Sequence, residues 1–123
     1  MRTRDYRDYL LDIFNSIDDI TKFTKNLTFS SFREDKKTTY AVIKCIEIIG
    51  EATKKIPKSI RDKYPFIPWK KMAGMRNKLI HEYFGIDIKI LWKTAEEDIP
   101  PLKHLIKKVL SDLGIRQIAL PFK

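Results

Sequence analysis

Between Tyr6 and Leu27 the apolar residues Tyr6, Leu10, Ile13, Ile17, Ile20, Phe23 and Leu27 return every three or four positions. That spacing predicts an amphipathic helix with one face turned to a core. The segment SSFREDKKTTYAVIKCIEIIGEATKKI predicts a second helix. Ser30 or Ser31 is the expected N-cap, and Glu34 and Asp35 fall in a first turn where the helix dipole favours negative charge. Pro57 stops this helix near Ile56. On its wheel Val42, Cys45, Ile46, Ile49, Ala52 and Ile56 share one arc, while Tyr40, Ile43 and Gly50 lie near the opposite side, so cover is expected on both. Gly50 marks either a close backbone approach or a tolerated glycine that costs about 1 kcal/mol relative to alanine.

The stretch PKSIRDKYPFIP holds three prolines, which restrict it to a short helical turn and a loop. A third substantial helix is predicted from Trp69 to about Phe84, with Gly85 as its C-terminal cap and Asp87 capping the next helix. In that next helix Leu91, Ala95, Ile99, Leu102, Ile106, Val109 and Leu113 keep helical spacing, and Pro100 and Pro101 predict a kink or break. Ile118, Leu120 and Phe122 alternate in an apolar tail, which is expected to pack on the body or on a partner. With 123 residues the chain suits one core, so a single domain over residues 1–123 is expected. The fold class is all-α, a four- to five-helix, mostly antiparallel bundle.

Composition narrows the possible partners. The chain is 43% hydrophobic and 33% charged with four glycines, which excludes a disordered polymer. Lys and Arg number 25 against 16 Asp and Glu, a formal charge of +9, which favours a phosphate-bearing partner. The basic residues are spread along the chain, so folding or assembly would have to gather them into a face. Cys45 is the single cysteine, and neither a disulfide framework nor a zinc-like His/Cys spacing is present, which fits a reducing cytoplasm. Lys44 and Glu47 interrupt the most apolar stretch, and no long apolar run follows the N-terminal charges. Neither a membrane span nor a signal peptide is expected.

The polar chemistry concentrates in RNKLIHEYFG, residues 76–85. On a continuous helix, Trp69, Met72, Ala73, Met75, Leu79, Ile80, Tyr83 and Phe84 surround Arg76, while Asn77 and His81 sit one turn apart at the border of the apolar arc. A guanidinium among buried side chains needs a carboxylate, a cleft or an anionic ligand. Two readings follow for Arg76: a buried salt bridge to Glu47 or Glu51, or a phosphate site suited to its planar, permanently charged fork. His81 can act as acid or base near neutrality, with Asn77 placed to orient it. Arg76 and His81 lie about 140° apart on that wheel, so convergence calls for two copies meeting across a two-fold axis. Tyr83 is either a packed aromatic or a hydroxyl reaching the same cleft. His104 has no nearby ligand cluster and receives no role.

Arg76, four residues, His81, one residue and Tyr83 reproduce the R-x4-H-x-Y signature of the HEPN superfamily. The wider string MAGMRNKLIHEYFGID, with IGEA upstream and LWKTAEEDIPPLKHLI downstream, resembles the HepT-type toxins of HEPN/MNT toxin–antitoxin pairs. This resemblance covers nearly the whole chain. It implies a cytoplasmic homodimer whose facing motifs form a metal-independent endoribonuclease without a cofactor. It further implies Arg76 and His81 as catalytic residues, with Asn77 placed to assist them by holding His81 or a phosphate oxygen, and cellular RNA as substrate, tRNA for some members. An MNT-type nucleotidyltransferase antitoxin is the implied partner, in a complex that can exceed the dimer, and AMPylation of Tyr83 is the implied means of silencing. Two other classes stay open: a non-catalytic helical partner that presents a nucleotide or substrate to a nucleotidyltransferase, and a plain dimerisation protein.

Overall fold

The computed structural model describes residues 3–81 and 85–116. Helix α1, Tyr6–Thr24, begins at Asp5, whose carboxylate accepts the Arg7 N–H while Asp8 reaches back to the Asp5 N–H. This reciprocal pair satisfies donors that the first helical turn would leave unmade. Leu10, Ile13, Ile17 and Ile20 are fully buried as the spacing predicts. Phe23 departs from the predicted stripe and is 41% exposed, whereas Thr24 is buried and donates its hydroxyl to the Ile20 carbonyl. The helix ends there.

The predicted second helix is in fact two. Thr28, not Ser30 or Ser31, caps a short helix α2, Phe29–Glu34. Asp35 then leaves the helical conformation and caps helix α3, Lys36–Lys54, by accepting hydrogen bonds from the Thr38 N–H and hydroxyl. Aspartate competes with the helical backbone in this way, which is why it ends one helix and starts the next. Glu34 and Asp35 therefore occupy a junction and not a first turn. Val42, Ile46 and Ile49 are fully buried, and Cys45, Ala52 and Ile56 nearly so. Burial pushes the Cys45 thiol up to about 11, so it stays protonated and packs as a small apolar group.

Helices α1 and α3 run antiparallel, since Arg4, Tyr9 and Asp12 share a groove with Ala52 and Lys55 from the far end of α3. After Pro57 come helix α4, Lys58–Lys63, and a loop through Phe66 to Pro68. Helix α5, Trp69–Ala73, then crosses α3 at Gly50. A methyl group at Gly50 would stand 3.4 Å from the Ala73 carbonyl oxygen and 3.8 Å from that of Met72. The α5 backbone does pass over Gly50, but at these distances a methyl group makes ordinary contact, so glycine is not required there; a side chain longer than alanine's would push α5 away.

The predicted third helix, Trp69 to Phe84, is likewise interrupted. Gly74 forms a turn after α5, and helix α6 covers Met75–Leu79. Strands β1, Ile80–His81, and β2, Gly85–Ile86, then pair antiparallel, Ile80 opposite Ile86 and His81 opposite Gly85. Gly85 adopts φ +81°, a left-handed conformation suited to glycine, but it does so in a strand and not as a helix cap. The apolar tail with Ile118, Leu120 and Phe122 lies outside the described residues.

Asp87 caps helix α7, Ile88–Lys93, as predicted, by accepting the Lys89 and Ile90 N–H groups. The chain continues through a π-helical turn, Thr94–Asp98, into helix α8, Ile99–Asp112. Ile99 donates to the Thr94 carbonyl five residues back, and Pro100 and Pro101 follow in the first turn of α8. The wider turn gives the proline rings room, so the chain stays helical through them and the expected break does not occur. Lys103 on α8 donates to Asp18 on α1 at 2.9 Å, and Lys22 joins the same carboxylate. These cations hold the Asp18 carboxyl below the usual range although burial opposes them. The Tyr64 hydroxyl donates to Asp112 and ties the loop before α5 to the end of α8. The described residues are thus helical around one core, apart from the short β1–β2 ladder, with more and shorter segments than the four or five helices expected.

Candidate active site

Helix α6 is anchored by Met75 and Leu79, 3% and 0% exposed. They are four residues apart and point the same way into the core. Arg76, Asn77 and Lys78 consequently face solvent. This corrects the wheel drawn over Trp69–Phe84: the turn at Gly74 re-phases the chain, so Arg76 no longer lies at the centre of an apolar arc. Its side chain is 52% exposed, and its Nε lies 3.5 Å from Oε1 of Glu47 on α3. Of the two acids considered, Glu47 is the partner, while Glu51 pairs with Lys54 at 3.4 Å. The Arg76–Glu47 pair is half-exposed and not buried, so an incoming anion can reach the guanidinium without unfolding anything.

His81 lies two residues beyond the end of α6, in β1. A wheel angle between Arg76 and His81, or between Asn77 and His81, therefore has no meaning: a helix places one side of each pair and a strand the other. The Asp87 N–H donates to the Leu79 carbonyl at 2.8 Å, which extends the β1–β2 pairing toward α6. Tyr83 lies outside the described residues. Asn77 is exposed on the same turn as Arg76, and its N–H donates to the Gly74 carbonyl at 3.0 Å. His104 is exposed on α8, away from this segment in sequence.

A groove of about 370 Å³ between α1 and α3 runs beside Glu47. Its formal charges cancel, with Arg4, Lys44 and Lys55 against Asp12, Glu47 and Glu51. Among the described residues no group of three or more His, Cys, Asp or Glu side chains gathers to hold a metal ion. No described helix is long and apolar enough to cross a membrane. What the segment offers chemically is a solvent-accessible arginine with one carboxylate neighbour, an amide side chain on the same turn, and an imidazole-bearing residue in strand β1.

The family model described as ribonuclease HepT-like matches residues 13–109, which include all of α3, α6, β1 and β2. The chain belongs to the HepT-like family. A Methanocaldococcus jannaschii protein carrying the provisional name RNase MJ1216 is 50% identical over 113 residues, covering 92% of this chain and 93% of its own. A Thermococcus cleftensis protein named probable ribonuclease HepT is 52% identical over 106 residues, 86% of this chain and 96% of its own. A Caldanaerobacter subterraneus subsp. tengcongensis protein with the provisional name RNase TTE0752 is 42% identical over 104 residues, 85% and 93%. No solved structure shows a significant match. Membership accounts for the resemblance seen in MAGMRNKLIHEYFGID, and the match spans the Arg76–His81 segment. Glu47 is the residue of this neighbourhood that the sequence named only as one of two options. The signal that separates it from Glu51 is position: Glu47 is the acid whose carboxylate comes within salt-bridge distance of Arg76.

Proposed function

We propose that this HepT-like protein is an endoribonuclease that cleaves cellular RNA without a metal ion, acting in the cytoplasm as a homodimer built from one domain per chain. The observation that carries the reading is the exposure of Arg76 and Asn77 on α6, just ahead of His81, within a segment spanned by the ribonuclease HepT-like match. In two-fold symmetry each motif faces its copy, so two histidines and two arginines share one cleft. One His81 takes the proton of the ribose 2′-hydroxyl as that oxygen attacks the adjacent phosphorus. The P–O5′ bond breaks, and the second His81 gives a proton to the departing 5′-oxygen. Arg76 stabilises charge on the phosphoryl oxygens by paired N–H donors. Asn77 holds the imidazole or a phosphate oxygen. The test is incubation of purified protein with total RNA in EDTA: cleavage supports the reading, and intact RNA from protein shown by mass spectrometry to be unmodified at Tyr83 overturns it.

Glu47 shares its charge with Arg76 and competes with phosphate for it. Glu47→Gln is expected to lower KM for RNA while leaving the melting temperature nearly unchanged, because an exposed pair contributes about 0–1 kcal/mol. Steady-state cleavage and thermal unfolding measure the two effects.

The protein is the toxin of a pair whose antitoxin is an MNT-type nucleotidyltransferase, with tRNA among its candidate substrates. AMP transferred from ATP to the Tyr83 oxygen, with release of pyrophosphate, places a phosphodiester and a nucleoside two residues from His81. Negative charge and bulk then repel and occlude the RNA phosphate. Tyr83→Phe is expected to stay active in the presence of that nucleotidyltransferase and ATP, while the wild-type protein is silenced. Cleavage assays paired with intact-mass measurement read this directly.

A further inference from the structure

Along α3 the residues Lys36, Tyr40, Lys44, Glu47 and Glu51 recur every three or four positions. At about 100° per residue they form one stripe on the helix. Tyr40 is 60% exposed, more than Phe23 or Phe66. It thus departs from the expectation that α3 would be covered on both sides. The Lys36 ammonium lies 5.8 Å from the centre of its ring. Lys37, one turn before Tyr40, and Lys44, one turn after it, are also exposed. None of the three lysines enters a salt bridge among the described residues. Two turns past Tyr40, about 10 Å along the axis, the stripe reaches Glu47, the acid that holds Arg76.

The stripe therefore has a direction. Its first half is an open aromatic face framed by three cations, and its second half, from Glu47 to Glu51, is acidic. Arg76 stands at the change of sign. An open ring with lysines around it is the combination that binds single-stranded nucleic acid, because any base can stack and every linkage carries a charge. A protein partner fits less well, since lysine is depleted from the cores of protein interfaces.

We propose that the Lys36–Tyr40–Lys44 stripe is the track for the RNA strand. One unpaired base stacks on Tyr40, Lys36, Lys37 and Lys44 take the flanking phosphates, and the strand so held presents its next linkages toward Arg76. The proposal rests on the ribonuclease reading and adds the path of the strand and a preference for unpaired RNA, whose bases alone are free to stack.

The test uses His81→Ala protein as the parent, so that RNA is not consumed, and a fluorescent single-stranded oligoribonucleotide read by anisotropy. Adding Tyr40→Ala is expected to weaken binding by at least about fivefold, the lower edge of one base–aromatic stack, with the salt dependence unchanged. Tyr40→Trp retains binding, and an abasic oligomer binds the parent and its Tyr40→Ala variant alike. Replacing Lys36, Lys37 and Lys44 by alanine flattens the slope of log K against log salt by about 2, or about 0.7 per phosphate contact on a single strand. Parent protein that binds RNA while Tyr40→Ala binds it equally well overturns the track and leaves the ribonuclease reading standing. A change of molecular mass in light scattering on Tyr40→Ala, with RNA affinity intact, makes the face a protein interface and also overturns it. Parent protein that neither binds RNA nor, as wild type, cleaves it removes both.

Discussion

His81→Ala is expected to lower kcat for RNA cleavage by about 10²- to 10⁴-fold, the range for removing a general acid or base, and Arg76→Ala by about 10²- to 10³-fold, the range for removing one preorganised donor to developing charge. The two differ in KM. Arg76 reaches phosphate in the ground state as well as in the transition state, so its loss raises KM too; His81 moves a proton only as the reaction proceeds, so its loss leaves KM near the wild-type value. The double variant is expected to be little worse than the weaker single one, because residues that act as a unit are not additive. Arg76 is half-exposed and anchored by a single carboxylate, so Arg76→Ala should shift stability by no more than about 0.5 kcal/mol. Circular dichroism melts alongside the kinetics separate lost chemistry from lost fold.

The second large effect is structural and comes from Leu79. Its side chain is fully buried, it ends α6, and its carbonyl accepts the Asp87 N–H, which extends the β1–β2 pairing toward α6. Leu79 is therefore the fixed point between Arg76, one turn earlier, and His81, two residues later. Leu79→Ala is expected to cost about 2–5 kcal/mol, the sum of lost transfer energy and the cavity left behind. The denaturation midpoint falls with the slope unchanged. At temperatures where the variant is still folded, kcat falls as well, since a displacement of about 1 Å in a catalytic group can cost about 10²-fold. Leu79→Met keeps the volume, so it should cost less than about 1.5 kcal/mol and retain activity. A Leu79→Ala protein with wild-type kcat would mean that α6 does not set the geometry of the site.

Much of the helical framework was legible in the residues themselves. The three-and-four spacing from Leu10 to Ile20 and from Val42 to Ile56 identified side chains that are buried, because a long amphipathic stripe has few ways to satisfy its apolar face. The cap at Asp87 was legible for the same local reason: its side chain supplies acceptors for the first N–H groups of α7. What could not be read were the interruptions. Asp35 and Gly74 break apolar patterns that continue across them, because periodicity records which residues are buried and not whether one axis runs through them. The ladder of Ile80–His81 with Gly85–Ile86 is two residues a side, too short to leave an alternating pattern.

The candidate site shows the same division. Arg76, Asn77 and His81 drew attention as polar residues in an apolar helix, yet the reason was partly mistaken: Arg76 violates no apolar face, since the turn at Gly74 brings it to the surface. Resemblance to HEPN proteins pointed to these positions independently of the wheel, and the HepT-like match spans them. Tyr40 was noted as lying opposite the buried arc of α3, but only its exposure and its lysine neighbours give it a meaning. Exposure depends on what the rest of the chain leaves uncovered, and one helix cannot report that.

The most direct measurement is the chemistry of the ends produced. Protein confirmed by mass to be unmodified at Tyr83 is incubated with a single-stranded oligoribonucleotide in EDTA, and the fragments are weighed. Attack by the 2′-hydroxyl, assisted by His81 and stabilised by Arg76, predicts 2′,3′-cyclic phosphate on one fragment and a 5′-hydroxyl on the other, absent with His81→Ala and Arg76→Ala. Fragments bearing 3′-hydroxyl and 5′-phosphate ends, or undiminished cleavage by either variant, would contradict it.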